Sequence, residues 1–81
     1  MSYFIYILQC NDDTLYTGIS TDVQRRLDEH NNSNKGAKYT KVRRPVKLVY
    51  SESSKDRSSA AKREIEIKKL KRSKKLELIN A

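Results

Sequence analysis

The chain has 81 residues, enough for one domain but with a core too small to hide misplaced polar groups. Lys and Arg number 18 against 10 Asp and Glu, a net charge of +8, and such a field attracts polyanions, nucleic acid foremost. A single cysteine, Cys10, and a single histidine, His30, exclude an internal disulfide and a four-ligand zinc site. The apolar run from Tyr3 to Leu8 is too short for a signal peptide and lacks its basic flank. No stretch approaches a membrane span, so the expectation is a soluble, cytoplasmic protein without a membrane partner.

Residues 3–9, Tyr-Phe-Ile-Tyr-Ile-Leu-Gln, are β-branched and aromatic and predict a strand. Asn11-Asp12-Asp13 is turn chemistry, and residues 14–18 resume as a second strand. Three loop residues set Tyr16 opposite Leu8, on the face of Phe4, Tyr6 and Leu8; two would turn it to the other face. The run of three turn formers predicts the first register. Tyr6 and Tyr16 then become diagonal neighbours.

Thr21 or Asp22 caps a predicted helix to about Asn31. Val23, Leu27 and His30 fall on one ridge with Arg26 beside them, so Arg26 and His30 should point toward the sheet. Residues 31–44 form a polar connector containing Lys35, Lys38, Tyr39, Lys41, Arg43 and Arg44. It is either a solvated loop or a nucleic-acid contact in which basic groups meet phosphates and Tyr39 stacks on a base.

Pro45 opens a third strand, with Val46, Leu48 and Tyr50 on one face and Ser51–Ser54 ending it. Because it follows a helical crossover, this strand should pair with the first. A long helix follows from about Asp56 to Leu70, its apolar arc set by Ala60, Ala61, Ile65, Ile67 and Leu70. Glu64 lies about 40° from Ala60 on the helical wheel, inside that arc. A carboxylate there is explained either by an i,i+4 pair with Lys68 or by a metal-binding or catalytic role. Ser73 is the predicted cap of a last helix to Asn80, with Leu76 and Ile79 inward. The fold class is α/β (α+β): a single domain over residues 1–81, ordered β-β-α-β-α-α, its three-stranded sheet flanked by helices.

Two tyrosines, an arginine, a histidine and a glutamate aimed at one sheet suit phosphodiester hydrolysis, with the Glu64 helix expected to pack back over the same sheet face as the tyrosines. The guanidinium offsets charge developing on the phosphate, a carboxylate holds a divalent cation, and Tyr or His positions the attacking water. One carboxylate is too few for a two-metal clamp, so a single Mg²⁺ or Mn²⁺ is the expected cofactor.

The spacing of Phe4-Ile5-Tyr6, Tyr16-Thr17-Gly18, Arg26-Leu27 and His30 resembles the GIY-YIG nuclease superfamily, and the likeness covers nearly the whole chain. Members include the N-terminal nuclease of the bacterial excision-repair incision subunit. The small stand-alone bacterial branch is most similar, through Gly36-Ala37-Lys38-Tyr39-Thr40, Arg44-Pro45-Val46 and Arg63-Glu64. The resemblance implies that Tyr6 and Tyr16 line the active site and that Gly18 lets the backbone turn away after the second strand. It implies that Arg26 contacts the scissile phosphate, His30 organises the nucleophile and Glu64 binds the metal. Phe4 stands where the family has glycine, Ile19 where the repair nuclease is often basic, and Asn80 is the single late asparagine. The expected activity is a metal-dependent nuclease on DNA, branched or nicked DNA included, with RNA as a further substrate. The alternative is a non-catalytic nucleic-acid-binding module. The chain carries no separate DNA-binding domain, so a protein partner is expected to supply targeting.

Overall fold

A computed structural model describes residues 2–81. The central strand is β1 (Tyr3–Gln9), flanked by β2 (Leu15–Ser20) and β3 (Lys47–Ser54) in the order β2-β1-β3, with both pairings antiparallel. Cys10 N–H donates to the Thr14 carbonyl at 2.8 Å and Asp13 N–H to the Cys10 carbonyl at 2.9 Å, closing a three-residue turn. Asp13 takes φ 65°, a left-handed value that Asp tolerates. The Asp12 carboxylate accepts from the Thr14 hydroxyl at 2.6 Å and from its N–H at 3.2 Å, holding the turn from inside. The register is Leu8 opposite Tyr16 and Tyr6 opposite Gly18, as three turn residues predict.

The two faces of the sheet carry separate cores. Tyr6, Leu8, Cys10 and Val46 are buried on one, with Tyr16, Leu48 and the α1 residues Val23 and Leu27 packed on them. Ile5 and Ile7 are buried on the other with Ala60 and Ile67 of α3 (Arg57–Lys69). Helix α1 (Val23–Asn32) therefore covers the Tyr6 face, and α3 with α4 (Arg72–Ile79) covers the opposite one.

Several boundaries differ from the sequence reading. Strand β3 starts at Lys47 and runs through Ser54, so Ser51–Ser54 continues the strand. Its register against β1 shifts between Ile7, opposite Tyr50, and Leu8, opposite Leu48. This irregularity interrupts the two-residue alternation, so Val46 and Leu48 join the Tyr6 face while Tyr50 packs with Val49 on the other. A short helix, α2 (Lys38–Lys41), forms within the polar connector. Helix α4 begins at Arg72 without a side-chain cap, so Ser73 is not its N-cap. Leu78 and Ile79 pack inward there and Leu76 is largely exposed. On α3, Ala60 and Ile67 are buried, but Ile65 is 53% exposed because a helix on one sheet face buries only a narrow stripe. Among the described residues no helix is long and apolar enough to cross a membrane.

Candidate active site

Tyr6 lies in the middle of β1 with Gly18 as its β2 partner, and the two are in unusually close contact. A Cβ on Gly18 would stand 2.5 Å from the Tyr6 hydroxyl oxygen and 2.7 Å from Cζ. The glycine is required because the tyrosine ring occupies the space of its side chain. The sequence reading assigned Gly18 to a departure of the chain from β2; the strand instead continues to Ser20, and no glycine in the described chain has positive φ.

The ring reaches α1, where the Tyr6 hydroxyl and His30 Nε2 are 2.9 Å apart. His30 is fully buried and Tyr6 is 1% exposed. On the other side of the imidazole, Nδ1 lies 2.9 Å from Thr40 Oγ1 and receives the Ala37 N–H at 3.3 Å. The ring is thus held at both nitrogens, by Tyr6 at Nε2 and by Thr40 and Ala37 at Nδ1. Thr40 is itself buried and donates to the Ala37 carbonyl at 2.9 Å. The connector folds onto the histidine closely: a Cβ on Gly36 would stand 2.8 Å from both Glu29 O and His30 Cα.

Burial, with the Arg26 charge adding to it, pushes the His30 pKa down to about 4, so the imidazole is neutral at pH 7. Burial also raises the Tyr6 hydroxyl to about 12, with Tyr16 and, more weakly, Glu64 acting in the same sense and Arg26 opposing them. Tyr6 is therefore a protonated hydroxyl held by a neutral imidazole. His30 is bonded to the Tyr6 hydroxyl and acts through it as a positioning residue.

Tyr16 completes an aromatic cluster, with ring centroids 6.5 Å from Tyr6 and 5.2 Å from His30. Arg26, on α1, donates from Nη1 to Glu29 Oε1 at 2.9 Å and to the Lys35 carbonyl at 2.8 Å, which aims the guanidinium. Burial opposes its charge, but bonding to Glu29 and Tyr6 prevails and raises its pKa further. Tyr6, Tyr16, Arg26 and His30 are thus brought together by β1, β2 and α1.

Glu64 arrives differently. The sequence reading put its helix over the same sheet face as Tyr6; α3 covers the opposite face. Glu64 lies between the buried Ala60 and Ile67 along α3, and its charge is the weakest of the influences that raise the Tyr6 pKa. Its side chain is 21% exposed, and Oε2 takes an ion pair from Lys68 at 3.3 Å, so the i,i+4 pair of the plainer reading is present. Among the described residues no three His, Cys, Asp or Glu side chains gather as a metal cage. The donor set is one hard carboxylate with solvent access, which suits a Mg²⁺-type ion that keeps most of its water. An exposed partner such as Lys68 holds it only weakly.

The basic connector divides. Lys35, Lys38 and Lys41 are exposed. Arg44 is committed elsewhere: Nε donates to the His30 carbonyl and Nη2 to those of Ser33 and Glu29, closing the C-terminal end of α1. These bonds hold Nε and Nη2 against the end of α1 and leave Nη1 without a bond among the described residues. Arg43 pairs with Asp12 at 3.0 Å and lies 3.9 Å from the Tyr39 ring centroid, and Tyr39 stacks beside Tyr16 at 6.0 Å. Tyr39, 37% exposed, thus extends the aromatic cluster to the surface. Asn80 is exposed at the C-cap of α4. The sequence reading missed Thr40, Gly36 and Asn31; the last holds Val46 through Nδ2 to O at 2.9 Å and N to Oδ1 at 2.7 Å. The Gly36–Thr40 run was a visible match, but which ring nitrogen it serves is a tertiary fact.

A thin antiparallel sheet with helices on both faces, holding a Tyr-Tyr-Arg-His cluster beside one carboxylate, defines a small α+β domain of nuclease type. The model of the GIY-YIG catalytic domain matches residues 2–77, and the chain belongs to that family. It is a family of nucleases, generally dependent on divalent metal and acting on nucleic acid. A UPF0213 protein of Desulfotalea psychrophila is 56% identical over 80 residues, covering 99% of this chain and 73% of that one. A UPF0213 protein of Staphylococcus saprophyticus is 54% identical over 78 residues, covering 96% and 94%. Among solved structures, the solution NMR structure of a UPF0213 protein from Bacillus halodurans is similar with a TM-score of 0.62 and 44% identity, covering 99% of this chain and 84% of that one. A solution NMR structure from E. faecalis gives 0.64 and 45%, covering 93% and 79%.

Proposed function

We propose that the protein is a divalent-metal-dependent endonuclease that hydrolyses phosphodiester bonds in DNA, branched or nicked DNA included, in the cytoplasm. One observation carries the reading. The Tyr6 hydroxyl is fixed by the buried His30 while Arg26 and Glu64 both act on it electrostatically, so a phosphate-binding cation, a metal-binding carboxylate and a water-positioning hydroxyl converge. Arg26 holds the non-bridging oxygens of the scissile phosphate and offsets the charge that develops there. Tyr6, protonated at neutral pH and held by His30, sets its hydroxyl oxygen beside Tyr16 and Arg26 at the phosphate end of the site. Tyr16, only partly buried, adds a second hydroxyl on the reaction side. Glu64 would hold a single Mg²⁺ or Mn²⁺, which supplies Lewis-acid polarisation of the phosphate when bound. Lys35, Lys38 and Lys41 supply flanking positive charge.

The test is cleavage of plasmid, flapped and nicked duplexes, and RNA with Mg²⁺ or Mn²⁺. Wild type should cut and stop on chelation. Arg26→Ala and Glu64→Gln should each lose about 10²–10³-fold, the scale for removing one electrostatic group from a transition state. Cleavage persisting in both variants would sink the site assignment. Salt-sensitive binding without cleavage would instead make the protein a binding module on this fold.

A further inference from the structure

An open groove of about 370 Å³ adjoins the site at Arg26, lined also by Tyr3, Ser20, Arg25, Glu29 and Arg57. Three guanidiniums share it with one carboxylate, and that carboxylate is already taken up by Arg26. Arg25 and Arg57 form no ion pair among the described residues, in contrast to Arg26, Arg43 and Arg63. Neither belongs to the cluster around Tyr6.

Their positions within the helices are telling. Arg25 sits in the first turn of α1 and Arg57 is the first residue of α3, and neither helix has an acidic residue in its first turn. A helix N-terminus carries partial positive charge, so this is where Asp or Glu stabilises and Arg does the reverse. The capping carboxylates Asp22 and Asp56 accept from the backbone N–H groups of Arg25 and Ser59 and form no ion pair with either guanidinium among the described residues. Two unpaired arginines are thus held where the helices themselves disfavour them, from opposite layers of the fold, facing one groove. An anion bound between them would remove both penalties.

We propose that Arg25 and Arg57 seat a backbone phosphate next to the one held by Arg26, so that the groove carries the nucleic-acid strand past the reacting centre. This rests on the nuclease reading for the role of Arg26, and it deepens that reading by giving the strand a path. An open groove suits a polymer passing through, whereas a single nucleotide is usually held in an enclosed pocket. The contact is to phosphate alone, so it positions the strand and carries no sequence information. Arg25 and Arg57 are binding residues, and their loss should raise KM while leaving kcat nearly unchanged, since they act alike on ground and transition states.

The test measures binding of a fluorescent flapped DNA duplex by anisotropy from 0.1 to 1 M salt, in the Glu64→Gln background so that the probe stays intact. Arg25→Ala and Arg57→Ala should each lower the slope of log K against log salt by about 1, as for one phosphate contact. That corresponds to roughly eightfold weaker binding at 0.1 M than the 1 M values would give. Lys71→Ala, an exposed cation on the α3–α4 corner, controls for the general field. Slopes equal to the control's, or no salt-sensitive binding by the parent, would overturn the proposal. Thermal melts of the same variants should match or slightly exceed the parent's, since the two side chains form no ion pair in the fold and their removal relieves the helix N-termini. The two readings separate cleanly. Slope losses in a protein whose wild type never cuts would retain the groove and remove the nuclease. Cleavage by wild type with unaltered slopes in the variants would do the opposite.

Discussion

Replacing Gly18 by Ala tests whether the Tyr6–His30 unit is what the fold protects. On general grounds the substitution should help, because Ala in a strand interior is better than Gly by about 0.5–1 kcal/mol. The geometry predicts the reverse. The new Cβ would stand 2.5 Å from the Tyr6 hydroxyl and 2.7 Å from Cζ, with Tyr16 Cε2 a further 3.2 Å contact. Tyr6 is buried in a strand between two paired neighbours, so the ring must rotate away or the strands must separate. Overpacking of this kind costs about 1–3 kcal/mol. Moving the ring also breaks its 2.9 Å bond to His30 and leaves a fully buried nitrogen unpaired, a further cost of about 1–3 kcal/mol. The losses outweigh the gain, and a net destabilisation of about 1–5 kcal/mol is expected. Urea unfolding followed by circular dichroism measures it through the midpoint at constant m. A Tyr6→Phe background removes the nearest clashing atom and the bond together, so Gly18→Ala should cost about 1 kcal/mol less there. Equal costs in the two backgrounds, or a wild-type midpoint for Gly18→Ala alone, would refute the account.

His30 should impose a pH dependence of its own. Its folded pKa of about 4 lies below the ordinary 6.5, so between those values the unfolded chain binds the extra proton. Stability is thus fully present above pH 6.5, falls as pH drops toward 4 and levels below it, by an amount on the order of 2–3 kcal/mol. His30→Gln should flatten that segment of the stability–pH curve, whatever its effect at pH 7; a retained slope would assign it to other groups. Glu29, Asp12 and Asp56, whose pKa values are lowered, lose their contributions further down as they protonate. Arg44→Ala should cost about 1–3 kcal/mol by stripping the α1 carbonyls of their donor, with the loss read from urea midpoints. The salt slope of DNA binding should stay unchanged in that variant, in contrast to Arg57→Ala. Asn31→Ala should destabilise by a similar amount, since it removes both bonds to Val46 and leaves its N–H and carbonyl without that partner.

Local chemistry made much of this molecule legible. Three consecutive turn formers set the hairpin register, and the register put Tyr6 and Tyr16 on one face. The Val23-Leu27-His30 ridge turned α1, with Arg26 beside it, toward them. What sequence pattern could not supply was the irregular register of β3, which moved Tyr50 across the sheet, because a bulge leaves no mark in a polar-apolar alternation. It also could not tell which basic residues of the connector were free. Arg43 and Arg44 look identical to Lys38 and Lys41 in a charge count, yet the two arginines are held by carbonyls, a carboxylate and a ring.

The sequence by itself determined the residue types of the candidate site, the strand and helix that carry most of them, and their common face. Those properties follow from periodicities of two and 3.6 residues, which act over a few neighbours. Tertiary structure alone decided that Glu64 comes from the layer opposite Tyr6, since layer order is set by how two cores are buried rather than by any local run. It also decided that Gly18 is a space for the Tyr6 ring instead of a turn, because a missing side chain has meaning only once its neighbour across the sheet is known.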